Sequence, residues 1–110
     1  MNKYEKGISL EIYVAECLKD ALNDNTIRPT KASSGGSHNT EKFDILSKDF
    51  FIECKSHKGK WFSKKVWEKL IDSLPFSTTK IPLYVIEHEV EGVLVMLSFA
   101  DFCKLLKERK

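Results

Sequence analysis

No two of the three cysteines, Cys17, Cys54 and Cys103, stand close together, and no CxxC pair occurs. This excludes a disulfide framework and a structural zinc site of ordinary spacing, and it suits a reduced, intracellular setting. No apolar run is long enough to span a bilayer, and the opening MNKYEKG has no apolar stretch of the kind that directs secretion. A cytoplasmic protein without a membrane partner is expected, placed in the host cytoplasm were the source viral. Charge of one sign is also scarce in excess: the formal net charge is +2, so any surface for a polyanion has to come from local clustering. What is present, 42% hydrophobic and 31% charged residues, describes an ordinary globular chain. Its 110 residues can bury one core but not two, so a single domain over 1–110 is expected.

Taken along the chain, a helix is expected from about Tyr4 to Asn23, stopped by Asn23, Asp24 and Asn25. Ile8, Ala15, Leu18 and Leu22 form one apolar stripe, and Leu10, Val14, Cys17 and Ala21 form another beside it. Glu11 falls within the resulting arc, where a carboxylate requires a lysine, a backbone donor, a proton or a metal ion. A strand from Thr26 to Ala32 follows, pushed to an edge or bend by Pro29. The stretch SSGGSHNTEK, Ser33 to Lys42, reads as a surface loop, either a plain linker or a backbone that approaches a ligand through Gly35, Gly36 and Ser37. Further on, Ser63 caps a helix from about Lys64 to Ser73. Strands are expected over Ile81 to Glu87 and Val93 to Leu97, with a charged turn from His88 to Gly92. A last helix begins after Ser98, with Phe99, Phe102, Cys103 and Leu106 facing inward. The order predicts an α/β or α+β fold, a mixed central β-sheet flanked by helices.

Chemistry concentrates in Phe43 to Lys55, FDILSKDFFIECK. Two apolar runs around Ser47, Lys48 and Asp49 predict a hairpin in which Asp44 lies opposite Glu53. Alternation puts Phe51, Glu53, Lys55 and His57 on one face and Phe50, Ile52 and Cys54 on the other. Opposed carboxylates repel unless a cation or a proton intervenes, so the hairpin reads as a metal site. Asp44 and Glu53, joined by Glu11, can hold Mg²⁺, with Mn²⁺ able to substitute, while Cys54 offers its backbone carbonyl and Lys55 an ammonium. Such a set suits phosphodiester hydrolysis, in which the ion polarises phosphate and activates water. From Lys55 to Trp67 there are five lysines and no acid. Lys58, Lys60, Lys64 and Lys65 among them, with Trp61 and Phe62 interleaved, form either a phosphate-contacting patch or a solvated helix start; the two aromatics are expected mostly buried.

These residues resemble the PD-(D/E)XK nuclease superfamily, and within it most closely the archaeal-type Holliday junction resolvases. Lys6, Gly7 and Glu11 match the opening KGxxxE helix, Gly36 and Ser37 the GS loop, and Asp44, Glu53 and Lys55 the D…E-x-K core. Phe43 stands where the superfamily name has proline, and His38 where the loop would have a second glycine. The resemblance covers roughly the first half of the chain closely and the rest by element order. It implies a restriction-endonuclease-like core and a metal-dependent endodeoxyribonuclease of DNA recombination and repair. It also implies Glu11, Asp44 and Glu53 as metal ligands, Lys55 as catalytic lysine, Ser37 as an active-site contributor and a homodimer on branched DNA that leaves 5′-phosphates. Lys6, Arg28, Ser37, His57, Lys58, Lys60 and Lys64 are the expected DNA contacts, with His57 alternatively a ligand or a bystander. Rival readings are a nuclease of the same fold acting on duplex, flap or fork DNA, a DNA-binding module without catalysis, and a structural salt-bridge network.

Overall fold

From Ile81 to His88 every residue except Glu87 is buried, a run that requires hydrogen-bonded neighbours on both edges and cover on both faces. Both are supplied in the computed structural model, which describes residues 9–30, 44–56 and 61–108. Five strands, β1 (Arg28–Pro29), β2 (Ile45–Leu46), β3 (Phe50–Ser56), β4 (Ile81–His88) and β5 (Gly92–Met96), form one sheet in that spatial order. The β3–β4 pair is parallel and the other neighbours are antiparallel. Three helices, α1 (Leu10–Leu22), α2 (Lys64–Asp72) and α3 (Phe99–Glu108), complete the described residues. A parallel pair demands a crossover, and α2 lies within it. This mixed α+β architecture is the one expected, and it is consistent with a restriction-endonuclease-like core.

The sheet separates two cores. On one side α1 lays Leu10, Val14 and Ala15 against Ile45, Phe50, Ile52, Cys54, Leu83 and Val85. On the other, Leu70 of α2 meets Tyr84 and Ile86, with Phe51, Phe62, Val66 and Trp67 packed around them. The expected alternation along β3 therefore holds, although the second face is apolar at Phe51 before it becomes charged at Glu53 and Lys55. Local signals also hold. Asn23 closes α1 in the left-handed region at φ 53°, and the Ser63 side chain accepts from the Val66 amide at 3.4 Å to cap α2. The Ser98 hydroxyl accepts from the Asp101 amide at 3.1 Å at the start of α3. Pro29 sits in the edge strand β1, where its missing N–H costs no ladder bond.

At the hairpin tip the Ser47 hydroxyl accepts from the amides of Asp49, at 3.2 Å, and Phe50, at 3.3 Å. The tip is then tied to β4. Lys80 donates to the Ser47 carbonyl at 2.8 Å, and Ile81 N–H donates to the Asp49 carbonyl at 3.0 Å. These bonds fix Ile45 opposite Ile52; the Asp44 amide donates to the Ile52 carbonyl as well, at 3.0 Å, so the expected pairing of Asp44 with Glu53 is not among the observed registers.

Several expectations are corrected. The described helix begins at Leu10 after the cap Ser9, and the residues assigned to an earlier start lie outside the described residues. Its buried face is narrower than two full stripes: Cys17, Ala21 and Leu22 are exposed, because no strand lies beneath the last turn's outer side. The expected strand over Thr26 to Ala32 is reduced to Arg28–Pro29, since Asp24 draws the Thr26 amide and hydroxyl into a turn at 2.9 and 2.6 Å. His88 is buried at the end of β4 rather than set in a charged turn. In α3, Leu105 packs on the core whereas Phe99, Phe102 and Leu106 are exposed; the helix is rotated from the orientation its apolar residues suggest.

Stability should follow this division. Ile52→Ala, at a site with no exposed surface, is expected to cost about 2–5 kcal/mol in chemical denaturation. Phe99→Ala, at a side chain 76% exposed, should stay within about 0.5 kcal/mol of wild type. Comparable losses from the two would contradict the assignment of α3's outer face.

Candidate active site

Asp44 is the most constrained of the predicted acids, with 7% of its surface exposed. Its amide donates to the Ile52 carbonyl at 3.0 Å and its carbonyl accepts from Thr30 at 3.1 Å. Its carboxylate takes over the next rung of the ladder: Oδ2 accepts from the Cys54 amide at 2.7 Å, the short distance typical of a charge-assisted bond. The side chain thus satisfies a β3 donor that a longer β2 would have paired through its backbone. In a strand, the N–H and C=O of one residue point to the same edge, so the Cys54 carbonyl faces the edge on which the Asp44 carboxylate lies.

Glu53 and Lys55 share one face of β3, as alternation requires, and the Lys55 ammonium stands 3.5 Å from Glu53 Oε2. Their neighbours across the parallel ladder are Tyr84 and Ile86, which give that face an apolar floor. Lys55 keeps much of its side chain in water while Glu53 is better shielded. A pair this open stabilises the fold by only about 0–1 kcal/mol, so its value lies in holding an ammonium beside a carboxylate.

Glu11 comes from the other side of the sheet. It occupies the first turn of α1, after the Ser9 hydroxyl has accepted from the Ile12 amide at 3.2 Å. It is partly exposed rather than sunk in an apolar arc, and the positive end of the helix dipole favours its charge there. The three acids nevertheless surround one residue. Burial first, then the charges of Asp44, Glu11 and Glu53, hold the Cys54 thiol far above its ordinary range.

Carboxylates and a backbone carbonyl are hard oxygen donors of the type Mg²⁺ and Mn²⁺ prefer, so Glu11, Asp44, Glu53 and the Cys54 carbonyl fit such an ion in donor chemistry. Among the described residues, no group of three or more His, Cys, Asp or Glu closes around a common point. The arrangement joins Asp44 to Cys54 by a hydrogen bond and Glu53 to Lys55 by distance.

Lys6, Ser37, His57, Lys58 and Lys60 lie outside the described residues. Arg28 is exposed on the edge strand, its guanidinium 3.5 Å from the Thr26 carbonyl. Lys64 projects into solvent, and Glu68, one turn along α2, lies 3.8 Å from its ammonium. The acid-free run thus ends just before a carboxylate that tempers one of its lysines. Two neighbours of the site went unassigned in the sequence. Tyr84 is fully buried, and its hydroxyl accepts from the Ser63 amide at 2.9 Å. Trp61, expected inside, is 57% exposed and stacks on buried His88. A tyrosine amid the apolar run of β4 was a legible sign of a hydroxyl with a buried partner; nothing local marked Trp61.

Because the folded state keeps the Cys54 proton and the unfolded chain releases it near the ordinary thiol value of 9.0, the unfolded state binds fewer protons above that pH. The contribution of Cys54 to stability is therefore complete below about pH 9 and falls as pH rises further. The unfolding free-energy difference between wild type and Cys54→Ala should shrink across this window. A pH-independent difference would show that neither burial nor the neighbouring carboxylates hold the thiol up in the folded chain. In native protein a thiol reagent should modify exposed Cys17 and reach Cys54 only on unfolding.

No family model matches the chain, and neither a curated protein nor a solved structure does.

Proposed function

We propose that the chain is a metal-dependent endonuclease that hydrolyses phosphodiester bonds in branched DNA, with a four-way junction as its substrate and a homodimer as its working form. The observation that carries this reading is the Asp44, Glu53 and Lys55 constellation: one carboxylate held on the Cys54 amide at 2.7 Å and, on the residues either side of Cys54, a second carboxylate with an ammonium 3.5 Å from it. A protein that only bound DNA gains nothing from acids that repel phosphate. Nor does a structural network need Lys55, which is half open to water.

In this reading Asp44, Glu53 and Glu11 hold Mg²⁺ together with the Cys54 carbonyl. The bound ion supplies Lewis acidity toward phosphate and a lowered pKa for an attacking water. The chain's own residues do the remaining work. The Cys54 amide fixes the Asp44 carboxylate on one oxygen. Glu53 holds the Lys55 ammonium close, at 3.5 Å, and the ammonium orients the nucleophile or offsets charge developing on the phosphate oxygens. Tyr84 and Ile86 beneath them keep water off one side of that pair. Lys6, Ser37, His57, Lys58 and Lys60 are assigned as substrate contacts from the sequence, together with Arg28 and Lys64. A two-fold dimer presents two such sites to the paired strands of a junction.

Asp44→Asn retains an oxygen for the Cys54 amide, and Glu53→Ala removes only a partly exposed side chain, so both should fold. Each is expected to lower junction cleavage by at least about a hundredfold while leaving binding within a few-fold. Chelation should stop cleavage by wild type. Labelled four-way junction, matched duplex and single strand, compared with Mg²⁺ and with chelator, provide the assay. Unaltered cleavage in both variants would remove these acids from the site, and a junction bound but never cut would leave a binding module.

A further inference from the structure

Trp61 is more ordered than its exposure suggests. Its indole lies on the imidazole of His88 with ring centroids 4.2 Å apart and planes at 30°. His88 is itself 7% exposed and held from behind, its Nδ1 accepting from the amides of Val90 at 3.2 Å and Glu91 at 3.1 Å. One face of the indole is thus fixed on a rigid support at the end of β4, while 57% of the residue meets solvent. What sets it apart from the other exposed apolar side chains is this support, and an indole, apolar in body with one polar N–H, suits a binding surface.

Its location gives it a ligand. His88 lies two residues beyond Ile86, the cross-strand partner of Lys55, and residues two apart on a strand share a face about 7 Å apart. The indole therefore stands on the side of the sheet that carries Glu53 and Lys55. On its chain-forward side, Lys64 and Lys65 begin α2 with both side chains exposed. Cations that track a phosphate backbone, set around an aromatic ring with one free face, are the elements by which proteins hold single-stranded nucleic acid. In a duplex the base faces are already stacked on one another. A free ring at this point therefore selects strands with an unpaired base, as at a branch point or a single-stranded gap.

We infer that Trp61 is a stacking platform for an unpaired nucleobase of the DNA substrate and that it supplies preference for branched or single-stranded DNA over matched duplex. The inference rests on the nucleic-acid part of the proposed function but not on catalysis, so binding is measured with chelator present. The probes are labelled four-way junction carrying one unpaired nucleotide at its centre, an oligothymidylate single strand and a matched duplex. Trp61→Ala should weaken the first two by about tenfold, the weight of one stacked base, and leave the duplex within about twofold. Trp61→Phe, which keeps a ring on His88, should recover most of the loss. Oligothymidylate should also quench the indole emission of wild type. Trp61→Phe should lose that quenching while Trp67, packed in the second core, goes on emitting. This measurement decides the matter even if the alanine variant folds poorly.

Equal binding of all three probes by wild type and Trp61→Ala, or a saturating single strand that leaves emission unchanged, would overturn the platform. Equal weakening on all three probes would overturn it as well, because it would reduce Trp61 to a general contact. Quenching and selective binding without any metal-dependent cut would keep the platform and discard the nuclease. Failure of wild type to bind any of the probes would discard both.

Discussion

The bond from the Cys54 amide to the Asp44 carboxylate is the constraint on which the candidate site depends. Among the described residues the hairpin's first strand is Ile45–Leu46, which pairs Ile45 with Ile52 and leaves the Cys54 amide to a side chain. A carboxylate closes that gap at 2.7 Å. A charged acceptor contributes about 1.5–3 kcal/mol where a neutral one gives about half as much. The same residue carries the backbone bonds to Ile52 and Thr30, so β1, β2 and β3 meet at one aspartate. An acid that is indispensable to the sheet edge is thereby held still beside Glu53, with no loop entropy left to spend on placing it.

This economy has an electrostatic cost. Burial first, then Asp44, Glu11 and Glu53, raises the Cys54 thiol, so like charges lie around one strand residue, although among the described residues no three of them close on a common point. The described residues offset this with one ammonium, Lys55, and one helix N-terminus. A sequence under selection for stability alone would replace at least one of these acids with an amide or an apolar residue, which is usually neutral or favourable at a partly buried site. Repulsion retained next to a rigidly held carboxylate is the local conflict from which the proposed function is argued.

What could be read from the sequence was whatever depends on periodicity and caps. The Ile45 and Ile52 register followed from two apolar runs around a short tip, because a one-residue slip would have turned Ile52 and Cys54 out of the core and Glu53 into it; the further pairing of Asp44 with Glu53 did not follow, because Asp44 gives its amide to Ile52. The ends of α2 followed from Ser63, and the α1 stop from Asn23. What was not legible depends on packing partners distant in sequence. The face of α3 was misjudged because Phe99, Phe102 and Leu106 are as apolar as Leu105, and only the position of β5 and α1 decides which of them is covered. Trp61 was expected inside for the same reason: its support, His88, lies 27 residues further along the chain. Glu11 was read as sitting in an apolar arc because the helix was counted from an earlier start than the one its cap defines.

The two cores also explain why the acids approach from different directions. Alternation sends Glu53 and Lys55 to the α2 side of the sheet, and α1 with Glu11 covers the opposite side. Carboxylates on opposite faces of a continuous sheet would be separated by its thickness. The rim of β3 offers a way round. There the Cys54 amide is taken by the Asp44 carboxylate at 2.7 Å, so one acid lies at the edge of the sheet, between the face that carries Glu53 and the face that α1 covers.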